Sequence, residues 1–143
     1  MDTLPVKFKL SAKLASTSKG ITGYLMLDDE IIDKYTFTQS GEWEKEFGFD
    51  FTEGQHRIGF TVNNKSNFDT IVDSNNNIID DTLITFEHLE IDEIEITELF
   101  EREAKFFDTT NNLKLDVMKN IGFNGHYSFE FATPFYEWLL SKV

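Results

Sequence analysis

Cysteine is absent from the 143 residues of this chain. Neither a disulfide framework nor a thiolate zinc site can be built without it, which fits a reducing compartment or a particle assembled inside a cell. Positive charge is scarce: 13 Lys and Arg stand against 26 Asp and Glu, a formal net charge of −13. Nucleic-acid phosphates require Lys and Arg, so this balance argues against a nucleic-acid partner. It suits solubility, cation binding or docking to a basic partner, beside the plainer reading of a solvated acidic surface. No apolar run approaches membrane-spanning length, so no membrane partner is expected, and the segment MDTLPVKFKL lacks the apolar core of a signal peptide. There is no glycine-rich phosphate loop, no internal repeat and no low-complexity linker.

The chain does have 15 phenylalanines and enough length for one domain with an aromatic core. Its organising stretch is Asp80 to Ile96, DDTLITFEHLEIDEIEI. Ile84 and Phe86 share one parity, Leu89 and Ile91 the other, and Ile94 and Ile96 return to the first. Side chains on a flat strand alternate with period two, so two parity switches predict bulges or bends near Glu87-His88 and near Asp92-Glu93. A helix is the rival, since Phe86/Leu89 and Ile91/Ile94 are three apart. Local alternation and β-branched residues favour strand.

Around this stretch the alternation repeats. Val6, Phe8, Leu10, Ala12 and Leu14 face one way and Lys7, Lys9, Ser11 and Lys13 the other, a pattern expected at an exposed or edge position. Strands follow at Ile21–Leu27 and Ile31–Thr38. Trp43, Phe47, Phe49 and Phe51 form the apolar face of another, and Thr52-Glu53-Gly54 a hairpin turn. His56, Ile58, Phe60 and Val62 form the inner face of the next. Ile71-Val72 and Ile78-Ile79 flank Asp73-Ser74-Asn75-Asn76-Asn77, which reads as a short ribbon closed by an Asx-rich turn. Phe100, Phe106 and Phe107 should anchor a less periodic segment. Leu113, Leu115 and Val117 suggest a strand, Gly122 to Gly125 a turn, and Tyr127, Phe129 and Phe131 a last strand. Thr133 is expected to cap, and Pro134 to open, a helix that packs through Phe135, Trp138 and Leu139. The expected fold is all-β: one antiparallel, jelly-roll-like β-sandwich domain over 1–143, with a protruding polar loop or ribbon at 63–82 and a short C-terminal α-helix at 133–142. Its predicted core includes Phe47, Phe49, Ile58, Phe60, Phe86, Leu89, Ile91, Phe129 and Phe131.

Catalytic chemistry finds little support. His56, His88 and His126 each fall within a strand and none is paired with a recognisable nucleophile; His56 reads as a satisfied core histidine. No carboxylate pair stands out as general acid and base, so no catalytic residue is assigned. Tyr24, Tyr35, Trp43, Tyr127 and Tyr136 could stack on sugar rings, with core packing the default for each. The Asn63–Asp81 segment is dense in oxygen ligands of the kind calcium takes. Asp73-Ser74-Asn75-Asn76-Asn77 starts like an EF-hand loop, but Ile78 stands where that loop needs Gly and Ile84 where it needs the bidentate Glu. An ordinary polar loop of turn formers is the plainer reading, and a cation site the sharper one.

Two resemblances bear on function. The segment Asn76-Asn77-Ile78-Ile79-Asp80-Asp81-Thr82-Leu83 running into Leu89-Glu90-Ile91-Asp92-Glu93-Ile94 is similar to small virion proteins of T4-like tailed phages, marine ones in particular. So is the ending Gly125-His126-Tyr127-Ser128-Phe129-Glu130-Phe131 through Pro134-Phe135-Tyr136-Glu137-Trp138-Leu139-Leu140. This likeness implies a non-enzymatic structural or adaptor protein of a virion, assembled in the host cytoplasm, with other virion proteins as partners. The second resemblance is to calcium-dependent xylan-binding-type carbohydrate-binding modules, which are jelly rolls. Asn63-Asn64 stands for their Asn-Asp pair, Asp80 or Asp81 for the Asp before an apolar strand, and Leu89-Glu90-Ile91-Asp92-Glu93-Ile94 for that strand. Here Asn64 replaces the acidic member and a ribbon is inserted. This likeness implies calcium at Asn63, Asn64, Asp69, Asp80 and Asp81 and a cell-surface glycan as partner. Association with further copies of the chain is left open.

Overall fold

The computed structural model describes residues 2–108, 113–115, 120–121 and 124–142. In chain order the strands begin with β1 (Asp2–Lys13), β2 (Ile21–Leu27), β3 (Glu30–Phe37), β4 (Gly41–Phe51) and β5 (Gly54–Val62). A single 3₁₀ turn (Asn67–Asp69) leads into β6 (Thr70–Val72) and β7 (Ile78–Asp81). Then come β8 (Leu83–Ile91), β9 (Ile94–Glu95), helix α1 (Thr97–Glu103), β10 (Lys105–Asp108), β11 (Leu113–Leu115), β12 (Asn120–Ile121), β13 (Gly125–Thr133) and helix α2 (Phe135–Leu140).

These elements make an antiparallel, jelly-roll-like sandwich. One sheet runs β12-β8-β1-β4 with β9 paired to β8; the other runs β11-β10-β13-β5-β2-β3; β6 and β7 form a separate two-stranded ribbon. The inner faces meet in one apolar core that follows the parity of the sequence: Val6, Phe8, Leu10 and Ala12 of β1 against Ile58, Phe60 and Val62 of β5 and Tyr127, Phe129 and Phe131 of β13. Phenylalanine dominates the contacts. Phe8 lies 6.1 Å from Phe60 and 5.8 Å from Phe86 between ring centres, and Phe86 stacks on Phe100 at 4.1 Å. Such offset and tilted pairs add to the burial of each ring.

The organising stretch carries both irregularities. Across the β1–β8 pairing, Lys9 faces His88 while Leu10 faces Phe86, so Glu87 is an extra residue. Its carboxylate accepts a hydrogen bond from Ser11 Oγ at 2.6 Å. The second parity switch is a hairpin, not a bend within one strand. Asp92 and Glu93 both adopt left-handed backbone, at φ 54° and 65°, and Ile91 pairs with Ile94. Two-residue turns of this kind match the twist of the strands they join.

Several expectations need correction. Strand β1 is central, not an edge, lying between β4 and β8. Its lysine row is neutralised across the strand pair: Lys7 Nζ lies 3.3 Å from carboxylate oxygens of both Glu44 and Glu46, and Lys9 Nζ 3.1 Å from Glu42. The hydrogen bonds that Lys7 donates to Glu44, first, and to Glu46 hold its pKa above the ordinary range. Phe47 and Phe49 are half-buried at the core's margin, because β4 is an edge strand in its sheet, while Trp43 and Phe51 of the same face are buried. Thr133 does not cap α2. It ends β13 and donates its hydroxyl to Thr52 O at 2.5 Å, leaving Pro134, after a cis bond, as the residue preceding the helix. Helix α2 still packs as expected, with Trp138 centred 5.8 Å from Phe129 and 6.2 Å from Phe131. Phe100 does anchor its segment, and that segment is helical at α1. Val117, Gly122 and the side chains of Phe106 and Phe107 lie outside the described residues. Among the described residues, no helix is long and apolar enough to cross a membrane.

Candidate functional site

The connection from β5 to β8 carries the molecule from one sheet to the other, and the ribbon is an excursion within it. Its polar residues fasten it to the sandwich. Ser66 opens the 3₁₀ turn as a reciprocal cap: the Asp69 carboxylate accepts from Ser66 N at 2.8 Å, and the Ser66 hydroxyl accepts from Phe68 N at 3.4 Å. Asp69 is fully buried, and its other oxygen accepts from Ser18 Oγ. A buried carboxylate needs such donors, because taking it from water unpartnered is costly. The backbone repeats the connection, Thr82 N donating to Asp69 O at 2.8 Å, and buried Thr82 accepts from Ala15 N at 2.9 Å.

The remaining acids are also engaged. Asp81 Oδ1 accepts from Thr70 Oγ1 at 2.7 Å and from Lys65 Nζ at 2.7 Å. Asn124 clasps the Lys65 backbone from both sides, Oδ1 accepting from its N–H at 2.8 Å and Nδ2 donating to its carbonyl at 3.0 Å. Asp80 accepts from Ser16 N at 3.2 Å, with Lys13 Nζ 3.7 Å away. Asn64 Oδ1 accepts from Thr22 N at 3.0 Å, and Asn63 is exposed. Thus of the residues expected to bind calcium, Asp69, Asp80 and Asp81 come together at the ribbon's base, while Asn64 joins β2. As placed, their oxygens are taken by hydroxyls, amides and the Lys65 ammonium, a donor set suited to fastening. Among the described residues, no three of His, Asp and Glu are arranged to hold a metal ion.

Beyond this base the ribbon exposes aliphatic side chains beneath a polar turn. Val72 and Ile78 are cross-strand partners, and a bulge in the pairing leaves Ile79 without an opposite residue. Val72 is 48% exposed, Ile78 and Ile79 64% each, and Phe68 52%. The turn is built by Asp73, whose Oδ1 accepts from Asn75 N at 2.8 Å and Asn77 N at 2.9 Å, with Asn76 left-handed. Those amides, Asn77 first, hold the Asp73 carboxyl below its ordinary range and so keep it charged. The loop was legible as polar. Its exposed isoleucines were also visible, but only their lack of a packing partner in three dimensions gives them meaning.

Each histidine has polar partners within the sandwich. His56 is buried between Asp28 Oδ2 at 2.7 Å and Thr52 O at 2.6 Å. His88 lies 2.6 Å from Glu90 and 3.4 Å from Glu95. His126 contacts Thr61 Oγ1 at 2.9 Å, its register partner on β5, and burial lowers its pKa. It borders an open trough of about 460 Å³ in which Arg57 is paired with Asp29 and Lys142 with Glu103. Of the aromatic candidates, Tyr127 and Trp43 are buried and Tyr24 half-buried; Tyr35, stacked on Trp43 at 5.7 Å, and Tyr136 are exposed.

Comparison with known proteins adds a likeness of fold. A structure described as vCBM60 in complex with galactobiose is 12% identical and superposes with a TM-score of 0.48, covering 87% of this chain and 96% of that one. The selenomethionine form of vCBM60, described with two families of calcium-dependent carbohydrate-binding modules, gives 11% identity and 0.49, covering 88% and 89%. No family model and no curated protein matches the chain.

Proposed function

We propose that the chain is a non-enzymatic structural adaptor of a tailed-phage particle: a β-sandwich that presents a docking ribbon to another virion protein. The observation that carries this reading is the ribbon itself, tightly fastened at its base and exposing Val72, Ile78 and Ile79 beneath a polar turn. Neither a catalyst nor a solvated spacer needs that combination; a preformed contact does. The virion setting is supported by the resemblance of residues 76–94 and 125–140 to small T4-like virion proteins. Quantitative mass spectrometry of purified particles is the test. The expected result is the chain at a fixed copy number that survives stringent washing. Its absence from particles, with the protein free in the lysate, would overturn the reading.

A calcium-dependent glycan-binding module is the competing proposal: Asp69, Asp80 and Asp81 all stand at the base of the ribbon, and calcium would have to rearrange them, since no three acidic side chains among the described residues are arranged to hold a metal ion. It requires the Lys65 ammonium to leave Asp81. Thermal melting with millimolar calcium, with equal magnesium and with chelator separates the two proposals, since a ligand of the native state raises stability by mass action. The adaptor reading expects calcium and magnesium to act alike, by screening charge. A calcium-specific rise in Tm that Asp80→Asn/Asp81→Asn removes would favour the module.

A further inference from the structure

We infer that the surface recognised by the ribbon is a protein cleft with an apolar floor and a rim of Lys and Arg, into which Val72, Ile78 and Ile79 insert. The inference rests on the adaptor reading and specifies its partner. The ribbon pairs with neither sheet, and beyond the contacts at its base Val72, Ile78 and Ile79 are left exposed. Three large aliphatic side chains, each about half exposed or more, are concentrated within residues 72–79 around one turn. Side chains of this kind become the anchors of an interface when a pocket excludes water from them.

Charge selects the kind of pocket. Between Lys65 and Arg102 the chain has no lysine or arginine. The ribbon itself bears Asp73, Asp80 and Asp81. Lys65 answers Asp81 at the base, but Asp73, at the turn, is stabilised in its charged form by two backbone amides and pairs with no cation among the described residues. A partner that buries the aliphatic residues must therefore bring positive charge close to Asp73 or leave a carboxylate poorly solvated. A second copy of this chain is disfavoured, because it would bring a like-charged ribbon on a molecule of net charge −13. An anionic lipid surface is disfavoured for the same reason, the ribbon having no Lys or Arg to meet it. A basic-rimmed cleft meets both requirements. The fastened base means that little chain entropy is lost when the ribbon docks.

The test uses purified particles that contain the full chain, with a photo-crosslinker on a cysteine introduced as Ser74→Cys in the ribbon turn or as Glu53→Cys in the β4–β5 turn. Ser74→Cys is expected to link to a partner segment in which Lys or Arg flank apolar residues. Ile78→Ser with Ile79→Ser should lower that yield about tenfold or more, as loss of anchor residues does. Asp73→Asn keeps the acceptor that builds the turn and removes only charge, so it should lower the yield by about two- to fivefold, a gap that closes as salt is raised. Unchanged melting of these variants verifies that the sandwich is intact. Links from Ser74→Cys to an acidic or uncharged surface, or to another copy of the chain, overturn the inference and leave the adaptor reading standing. So do links from Glu53→Cys alone. A chain missing from the particles overturns both.

Discussion

Phe60 shows how far a single residue can be read in advance. Its parity with Ile58 and Val62 places it inside, and the structure buries it against Phe8 and Tyr127, centres 6.1 and 5.3 Å away. Phe60→Ala should cost about 3–5 kcal/mol in a denaturant melt, from lost burial and the cavity left behind. Gly59 beside it was not legible. A Cβ there would lie 1.7 Å from Tyr127 O, backbone that cannot yield without parting β5 from β13. Gly59→Ala is therefore expected to unfold the protein or to lower Tm far more than Gly41→Ala, where a Cβ meets nothing. Close backbone approach is a property of two strands together, and one strand's sequence does not display it. Titration belongs to this scale as well. Burial depresses the His126 pKa and backbone hydrogen bonds depress that of Asp73. For a depressed group, stability is full above the unfolded pKa and lost as pH falls through the folded one. Acidification below pH ~6.5, the ordinary histidine value, should start to lower Tm. His126→Gln should flatten that first part of the profile, measured by melting across pH.

At the scale of elements, long alternating strands were legible and short or interrupted ones were not. Glu87 announced itself because a bulge flips parity, and parity is readable over the nine residues of β8. The same signal at Asp92-Glu93 has two causes, a bulge or a tight hairpin, and sequence parity cannot separate them. Helix α1 was missed: its seven residues, TELFERE, give barely two turns, with only Leu99 and Phe100 apolar and no side-chain cap on Ile96. Its stability comes from packing Phe100 on Phe86, not from its own propensity. Thr133-Pro134 had the residues of a helix start, but the Thr133 hydroxyl is drawn to Thr52 O, 81 positions away in sequence. Deleting residues 134–143 should uncover Phe129 and Phe131 where Trp138 now lies, and the truncated protein should aggregate at concentrations where the parent stays dispersed. Light scattering beside a thermal melt measures this. A dispersed product with unchanged Tm would mean that α2 contributes nothing to the sandwich.

For the molecule as a whole, the acidic balance was legible and its distribution was not. The row of lysines on β1 suggested an exposed or edge position; the lysines are partly exposed, yet two of them pair with glutamates of β4 from the middle of a sheet. Exposed pairs of this kind contribute little each and weaken with salt. The excess of negative charge repels itself throughout, and salt relieves that repulsion. The two effects oppose one another, and at net −13 repulsion should dominate, so Tm should rise when ionic strength is raised from low to moderate values. A Tm that falls with salt would show the cross-strand pairs to outweigh the excess. The same distribution made the ribbon's role illegible from sequence: Ile78 and Ile79 look like any strand pair until it is seen that neither sheet covers them.

The way the ribbon is held has a mechanical consequence. Its anchors go to separate places: Asn64 to Thr22 and Lys65 to Asn124 beside one sheet, Asp80 to Ser16 and Thr82 to Ala15 beside the other. A pull on the tip is divided between the two layers along independent tethers. No single tether bears the whole force, and neither layer is peeled strand by strand. On the adaptor reading proposed above, a particle that strains its joints would grip this chain where tension is shared between its two layers.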